Sequence, residues 1–170
     1  KNPLVEILPI SRGCLDAYTF SKSKKARGNI VSYPAAEIVE AATKAVKDGV
    51  REIWLTSRDA FGYGSEIGTE LPALLEQIVQ IPGDFKIRID MGNPDHLSRI
   101  SARLVEIYKH PKIFKFLHLP LQAGHDETLK AMRRRYTVEE YLQAIYLFKR
   151  EIPEMNIMTD IVVGYPTETD

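Results

Sequence analysis

The chain has 170 residues, with 23 lysines and arginines, 23 aspartates and glutamates, and a single cysteine. This length suits one domain with a sizeable core, and the balanced charge means that any nucleic-acid binding must come from local patches. One cysteine excludes a disulfide framework and fits a reducing compartment. No apolar run reaches the roughly 20 residues that span a bilayer, so we expect a cytoplasmic protein.

Apolar runs of strand length alternate with longer stretches of helical period, a pattern typical of βαβ units and a parallel sheet. The predicted strands are residues 4–10, 51–57, 85–91, 113–119 and 157–163. Each predicted helix begins at a start signal, and these signals are Pro34 in the first helical position, Thr69, Asn93-Pro94 and the capping box of Thr137 with Glu140.

Side-chain alternation favours a partial barrel over an open doubly wound sheet. Strands covered by helices on both faces are almost continuously apolar. Here polar residues interrupt the predicted strands, namely Glu6, Lys86, Arg88, Asp90, Lys115 and Asp160. We therefore predict an α/β fold, a partial parallel (β/α) barrel with its strands in chain order and these side chains in a polar lumen. The alternative is that some lie at strand ends in water or form core ion pairs.

The loops that follow the predicted strands carry most of the chemistry. The first, residues 11–28, holds Cys14, with Tyr18 and Ser21 after it at the spacing of a CxxxCxxC motif and Phe20 just before Ser21. The carboxyl ends of parallel strands meet at one face of a barrel, so a ligand site is expected there.

The chain resembles the radical S-adenosylmethionine (SAM) domain of the tRNA methylthiotransferases, in particular the archaeal and eukaryotic branch that acts on N6-threonylcarbamoyladenosine. Seven blocks carry the resemblance in the family's order: Pro9-Ile10 with Gly13-Cys14-Leu15; Lys25-Ala26-Arg27-Gly28 with Ser32-Tyr33-Pro34; Glu52-Ile53-Trp54-Leu55-Thr56-Ser57; Tyr63-Gly64 with Ile67-Gly68-Thr69; His118-Leu119-Pro120-Leu121-Gln122; Arg135-Tyr136-Thr137; and Thr159 through Pro166. The resemblance implies a TIM-like radical SAM core over residues 1–170, with five of about six units present, and a fragment that lacks the flanking methylthiotransferase and RNA-binding domains.

The resemblance also implies a [4Fe–4S] cluster and SAM as cofactors. In the family three thiolates hold three irons, and the fourth iron binds SAM, whose cleavage releases a 5′-deoxyadenosyl radical. Cys14 fills one ligand position, whereas Tyr18 and Ser21 are poor replacements for thiolates. We therefore expect no cluster and no activity from the chain as written. The simpler alternative is that Cys14 is a small buried hydrophobe in a plain connecting loop.

The resemblance assigns SAM-binding roles to Phe20, Ser57, Asp59, Gln122, Gly164 and Glu168. Several positions depart from the family's pattern. Arg58 stands where an acidic residue is frequent, and Ala123 and His125 replace residues of a stretch that usually carries hydroxyl groups. The SAM site is therefore expected to be altered as well as the cluster loop.

tRNA is the partner that the resemblance implies. The basic runs 22–27 and 133–135 could meet its phosphates at the mouth of the site, or could simply be solvated. His118 and His125 are interpreted as structural or surface residues. Two other functions stay open: a cluster-less RNA- or protein-binding module on the same scaffold, and a barrel lyase or hydrolase that uses Lys86 or Lys115.

The last predicted strand raises the question of self-association. A sixth strand would follow residue 170 in a family barrel, so the 156–163 edge, with its apolar Ile157, Ile161, Val162 and Val163, would be unpaired. An unpaired apolar edge invites pairing with another chain, and we expect self-association through it. Pro3 and Pro9 blunt the opposite edge.

Overall fold

In the computed structural model, which describes residues 2–166 and 168, the chain is a mixed α/β fold with short strands and longer helices. The strands are β1 (Val5–Pro9), β2 (Ser11–Arg12), β3 (Val31–Ser32), β4 (Glu52–Thr56), β5 (Lys86–Ile89), β6 (Phe116–His118) and β7 (Asn156–Met158). The helices are α1 (Ser23–Arg27), α2 (Ala35–Lys47), α3 (Leu71–Ile78), α4 (Pro94–Tyr108), α5 (Asp126–Ala131) and α6 (Val138–Glu151), with a 3₁₀ turn at Ala60–Gly62. Over the described part of the chain, no helix has the length and apolar character required to cross a membrane.

The long strands follow one another in space as they do in the chain. β1, β4 and β5 form a parallel sheet in that order, and β6 pairs in parallel with β7. The two sheets meet where Ile87 bridges Ile113 and the Phe114 amide donates to the Ile87 carbonyl at 3.0 Å. The predicted strand order and parallel direction are therefore confirmed.

The helices lie together against one face of these strands. α2 packs on β1 and α3, α3 packs on α4, and α4 packs on α6. Ile53, Leu55, Ile87 and Ile89 point toward the helices and are at most 2 % exposed. Burying each such side chain stabilises the fold by roughly 1.5–3 kcal/mol. The opposite face is the lumen of a partial barrel, as predicted.

Capping chemistry correctly located two helix starts. Asn93 Oδ1 accepts from the Asp95 amide at 3.2 Å, and Thr137 and Glu140 form the complete capping box. Pro34 takes the cap position instead of the first helical position, so α2 begins at Ala35. The start predicted at Thr69 is wrong: its amide donates to the Gly64 carbonyl at 3.0 Å and closes a loop, and α3 begins at Leu71.

Two of the predicted lumen residues lie elsewhere. Glu6 aligns with Ile53, which places it on the helix-facing side of β1. Lys115 precedes the short β6, and its ammonium donates to the Tyr108 carbonyl and, at 3.0 Å, to the His110 carbonyl at the end of α4. The exposed Lys86 donates to the Pro111 carbonyl at 2.7 Å. Both ammonium groups are therefore engaged by backbone carbonyls.

The final strand is shorter than predicted. β7 ends at Met158, and the Leu121 amide then donates to the Thr159 hydroxyl, not to a strand carbonyl. Pairing resumes only as a single bridge between Gln122 and Ile161, because Gln122 has the left-handed φ of 76° and turns its chain away. Ile161 is exposed, and self-association through the 156–163 edge stays a prediction.

Candidate active site at the carboxyl ends of the strands

Backbone hydrogen bonds join the two ends of the Cys14 loop, residues 11–28. β2 and β3 pair antiparallel through Ser11 and Ser32, and the Cys14 amide donates to the Gly28 carbonyl at 3.1 Å. These bonds close the loop into a cover over the carboxyl ends of the strands. The base of the loop is therefore fixed by backbone hydrogen bonds.

Tyr18, at the second ligand position of the motif, is engaged in a polar network. Its hydroxyl donates to Asp95 Oδ2 at 2.5 Å, accepts from the Asn93 side-chain amide and lies 3.2 Å from Asp16 Oδ2. Burial, followed by the hydrogen bond to Asp95, raises the pKa of the Tyr18 phenol. The hydroxyl is consequently a neutral donor that links the loop to the start of α4.

Arg134 covers the same tyrosine from the other side. Its guanidinium carbon lies 3.8 Å from the centre of the Tyr18 ring and 5.4 Å from that of Phe20, and Nη1 donates to Asn93 Oδ1 at 2.9 Å. The Tyr18 and Phe20 rings stack with 6.0 Å between their centres. Such cation–π contacts contribute about 0.5–2 kcal/mol each. Arg134, the middle residue of the basic run 133–135, therefore stabilises the loop through these contacts.

His96 joins the loop to β4. Its Nε2 lies 2.7 Å from Asp16 Oδ2 and 3.3 Å from Asp59 Oδ2. Burial alone would lower the His96 pKa, but the hydrogen bond to Asp16 and the charges of Asp59, Asp16 and Asp95 outweigh it, so the pKa is raised. The hydrogen bond from His96 chiefly lowers the pKa of Asp16, which also accepts from Arg135 at 2.8 Å.

Six of the motif and predicted cofactor residues line one cavity of about 110 Å³ in this region: Cys14, Tyr18, Phe20, Ser21, Asp59 and Gln122. Arg58 and Arg134 also line it. Asp59 also has a structural role, because its Oδ1 accepts hydrogen bonds from the amides of Phe61 at 3.1 Å and Asn93 at 3.0 Å. Burial is the main cause that raises the Asp59 pKa.

The remaining predicted residues lie outside the residues that line this cavity. Ser57 accepts from the Asp59 amide at 3.0 Å. Glu168 accepts from the amides of Gly164 at 2.7 Å and Tyr165 at 3.0 Å, so it closes its own loop. A SAM-binding role for these three residues and for the cavity residues stays a prediction.

A second polar group lies deeper, on the lumen face. His118 Nε2 lies 2.8 Å from Asp160 Oδ2, and the His118 ring is 6.5 Å from that of Phe116. His118 was interpreted as structural or surface, and its partner lies 42 residues away on another strand's loop, so sequence spacing gave no signal. His125 donates to or accepts from Thr128 at the start of α5, a local capping contact.

Sequence reasoning also missed the residues that hold Tyr18. Asn93 was recognised only as a helix cap, Arg134 only as part of a basic run, and Asp95 and His96 were not singled out. The available signal was the cluster of polar residues in the first turn of α4, which directly follows the end of β5.

A profile of the Radical SAM superfamily matches residues 9–170, nearly the whole chain. The chain belongs to the radical SAM superfamily. Among its relatives, a protein of Mus musculus named threonylcarbamoyladenosine tRNA methylthiotransferase is 44 % identical over all of this chain and 30 % of its own length. A Pyrococcus horikoshii protein named as a probable enzyme of the same kind is 45 % identical over 96 % of this chain and 39 % of its own length. The chain thus spans about a third of these relatives.

Solved radical SAM structures share the fold at low identity. TsrM from Kitasatospora setae, with cobalamin and a [4Fe–4S] cluster bound, has a TM-score of 0.70 and 14 % identity, covering 92 % of this chain and 30 % of its own. OxsB with aqua-cobalamin and SAM bound has a TM-score of 0.69 and 13 % identity, covering 92 % of this chain and 23 % of its own. These likenesses confirm the radical SAM fold.

The residues of the loop do not fit the cluster of this superfamily. Cys14 is the chain's only cysteine, and its thiol donates to the Asp16 carbonyl at 3.3 Å. Tyr18 is held as a neutral phenol, and the Ser21 hydroxyl accepts from the Ser23 amide at 3.3 Å. Within residues 2–166 and 168, no group of three or more His, Cys, Asp or Glu side chains is arranged to hold a metal ion. One thiolate cannot supply the three ligands that such a cluster takes from protein.

Proposed function

We propose that this chain is the radical SAM core of a tRNA methylthiotransferase-type protein that recognises N6-threonylcarbamoyladenosine in tRNA. Support comes from relatives of that name that are 43–45 % identical over 96–100 % of the chain. The methylthiotransferase and RNA-binding domains of such proteins would lie outside this chain. A cytoplasmic location, where tRNA is present, is part of the proposal.

The second part of the proposal is that the chain, as this sequence stands, does not carry out the radical step. The observation that carries it is the placement of Tyr18, whose hydroxyl and ring are engaged by Asp95, Asn93 and Arg134. A side chain with this many partners supports the loop without metal. The radical SAM scaffold is present, whereas two of the three cluster ligands are not.

A basic groove next to the loop supports tRNA as the partner. Lys24, Arg133, Arg134 and Arg135 line it together with residues 15–18. Arg134 and Arg135 are partly used in the loop network, but Arg133 is exposed and has the left-handed φ of 64°. Arginine and lysine side chains in such a groove suit contacts with phosphates, which give affinity without sequence specificity.

The test compares the protein that contains this chain with its Tyr18→Cys, Ser21→Cys variant after anaerobic reconstitution. Each is incubated with SAM, reductant, a sulfide salt as the sulfur donor and a tRNA carrying N6-threonylcarbamoyladenosine, and the nucleosides are analysed by mass spectrometry. We expect tRNA binding by both proteins and methylthiolation only by the variant. Methylthiolation by the unmodified protein would contradict the second part of the proposal. Failure of both proteins to bind this tRNA would contradict the first part.

A further inference from the structure

Arg88 occupies an unusual position on the lumen face of the barrel. It lies in β5, aligned with Trp54 of β4, while its neighbours Ile87 and Ile89 point to the helices and are buried. Its side chain is half-buried. A cavity beside it is lined by Trp54, Leu55, Thr56, Arg88 and Asp90.

Two aromatic rings hold the Arg88 guanidinium. Its central carbon lies 4.7 Å from the centre of the Trp54 ring and 5.1 Å from that of Phe116. Trp54 is itself fixed, because its Nε1 donates to Glu52 Oε2 at 2.8 Å. Ring-face contacts use none of the five N–H donors of arginine as hydrogen bonds, so these donors stay available.

Arg88 has no hydrogen-bond acceptor and no carboxylate within ion-pair distance in the described part of the chain, although acidic residues lie nearby. Asp160 is paired with His118 at 2.8 Å, and Asp90 Oδ1 accepts from the Met91 amide at 2.9 Å. Glu52 is engaged with Trp54. A half-buried cation without a counterion is costly and favours an anionic ligand.

We infer that Arg88 binds the carboxylate of the threonylcarbamoyl group of the substrate nucleoside. The inference rests on the proposed function and names its specificity residue. The threonylcarbamoyl group adds one carboxylate to adenosine, and the planar guanidinium is the side chain best shaped to bind a carboxylate through two hydrogen bonds. Trp54 and Phe116 supply aromatic surface on which a base extruded from the RNA can stack.

The test measures binding of small nucleosides to this chain by calorimetry. The probes are N6-threonylcarbamoyladenosine, its methyl ester, in which the carboxylate charge is removed, and adenosine. We expect the acid to bind roughly 10- to 100-fold more tightly than the ester, which is the discrimination of a good bidentate contact. Arg88→Met should abolish this preference. Arg88→Lys should retain only part of it, because lysine lacks the paired, coplanar N–H donors of the guanidinium.

Arg51→Met is the matched control. Arg51 pairs with Asp84 at 3.3 Å near the amino ends of the strands and is exposed, so its loss should leave the preference unchanged. If Arg88→Met does not fold, as judged by circular dichroism, the affinities of the unmodified chain for the acid and the ester still show whether the carboxylate is recognised.

The outcomes separate this inference from the proposed function. Equal affinity for acid and ester would overturn the role of Arg88 and leave the proposed function intact. Binding of neither nucleoside would overturn the inference. An intact preference for the acid, combined with failure of both the unmodified and the Tyr18→Cys, Ser21→Cys proteins to bind the tRNA, would support the role of Arg88 and count against the first part of the proposed function alone.

Discussion

The Tyr18 hydroxyl donates to Asp95 Oδ2 across 2.5 Å, which ties the loop after β1 to the first turn of α4. We expect Tyr18→Phe to lower the free energy of unfolding by about 1–3 kcal/mol, because Asn93 and Asp95 lose a partly buried partner while the ring stays in place. Urea unfolding measures this effect. Tyr146→Phe is the control, since Tyr146 is 65 % exposed, and it should change stability by less than about 0.5 kcal/mol. Equal stability of Tyr18→Phe and the unmodified chain would show that the hydroxyl contributes nothing.

Restoring thiols should restore cluster binding. We expect the Tyr18→Cys, Ser21→Cys chain to hold close to four irons and four sulfides after anaerobic reconstitution, because three thiolates then occupy a loop whose path is already set. Colorimetric iron and sulfide analysis gives the count. Ser21→Cys alone is the control and should remain substoichiometric. A full complement in the unmodified chain would mean that other groups replace the missing thiolates.

The Asp16–His96–Asp59 contact predicts a dependence of stability on pH. Because the folded-state pKa of His96 is raised, its contribution is complete below the ordinary pKa of about 6.5 and is lost as pH rises through the folded value. The destabilisation caused by His96→Gln should therefore be about 1–3 kcal/mol near pH 6 and smaller near pH 9. Urea unfolding of both proteins at each pH checks this.

His110→Gln provides the control of opposite sign. Burial first, then the charges of Lys112 and Lys115, lower the pKa of His110, so any contribution of its neutral form grows as pH rises. A destabilisation by His96→Gln that increased toward high pH would contradict the expected role of the charged imidazole.

Gly13 is predicted to be irreplaceable beside Cys14. It has φ of 79°, and a Cβ atom at this position would lie 2.0 Å from the Asn29 carbonyl oxygen. Gly13→Ala should destabilise the chain by about 2–4 kcal/mol through strain and overlap. Gly28→Ala is the matched control, because Gly28 has φ of 76° but open space around it, and it should cost only about 1–2 kcal/mol. Equal destabilisation by Gly13→Ala and Gly28→Ala would mean that the left-handed backbone conformation, and not the overlap with Asn29, causes the effect.

The exposed 156–163 edge, formed by β7 and the residues that follow it, should promote self-association. Ile161 and Val163 are 52 % and 83 % exposed, and β7 pairs on one side with β6. We expect sedimentation velocity of this chain to show concentration-dependent association, and the double change Ile161→Lys, Val163→Lys to reduce it. Ile67→Lys alters an equally exposed isoleucine elsewhere and should have no effect. A monomer at all concentrations would show that this edge does not pair.

The features that sequence predicted are those set by neighbouring residues. Strand order followed from the alternation of apolar runs, and the starts at Asn93 and Thr137 followed from local caps. Lys115 was misplaced because its long side chain reaches carbonyl groups at the end of α4 instead of following the strand alternation. The Tyr18 network could not be predicted from sequence, because Asp95 lies 77 residues along the chain from Tyr18 and Arg135 lies 119 residues from Asp16.

The hydroxyl groups of Thr19 and Tyr165 lie 2.6 Å apart, and both contact the Ala131 carbonyl. The loop after β1 therefore touches the segment that follows β7, although β1 and β7 do not pair within the described residues. Two segments that lie 146 residues apart in the chain are therefore held together at this contact, and a displacement of the Tyr165 segment would be passed to the loop that carries Cys14.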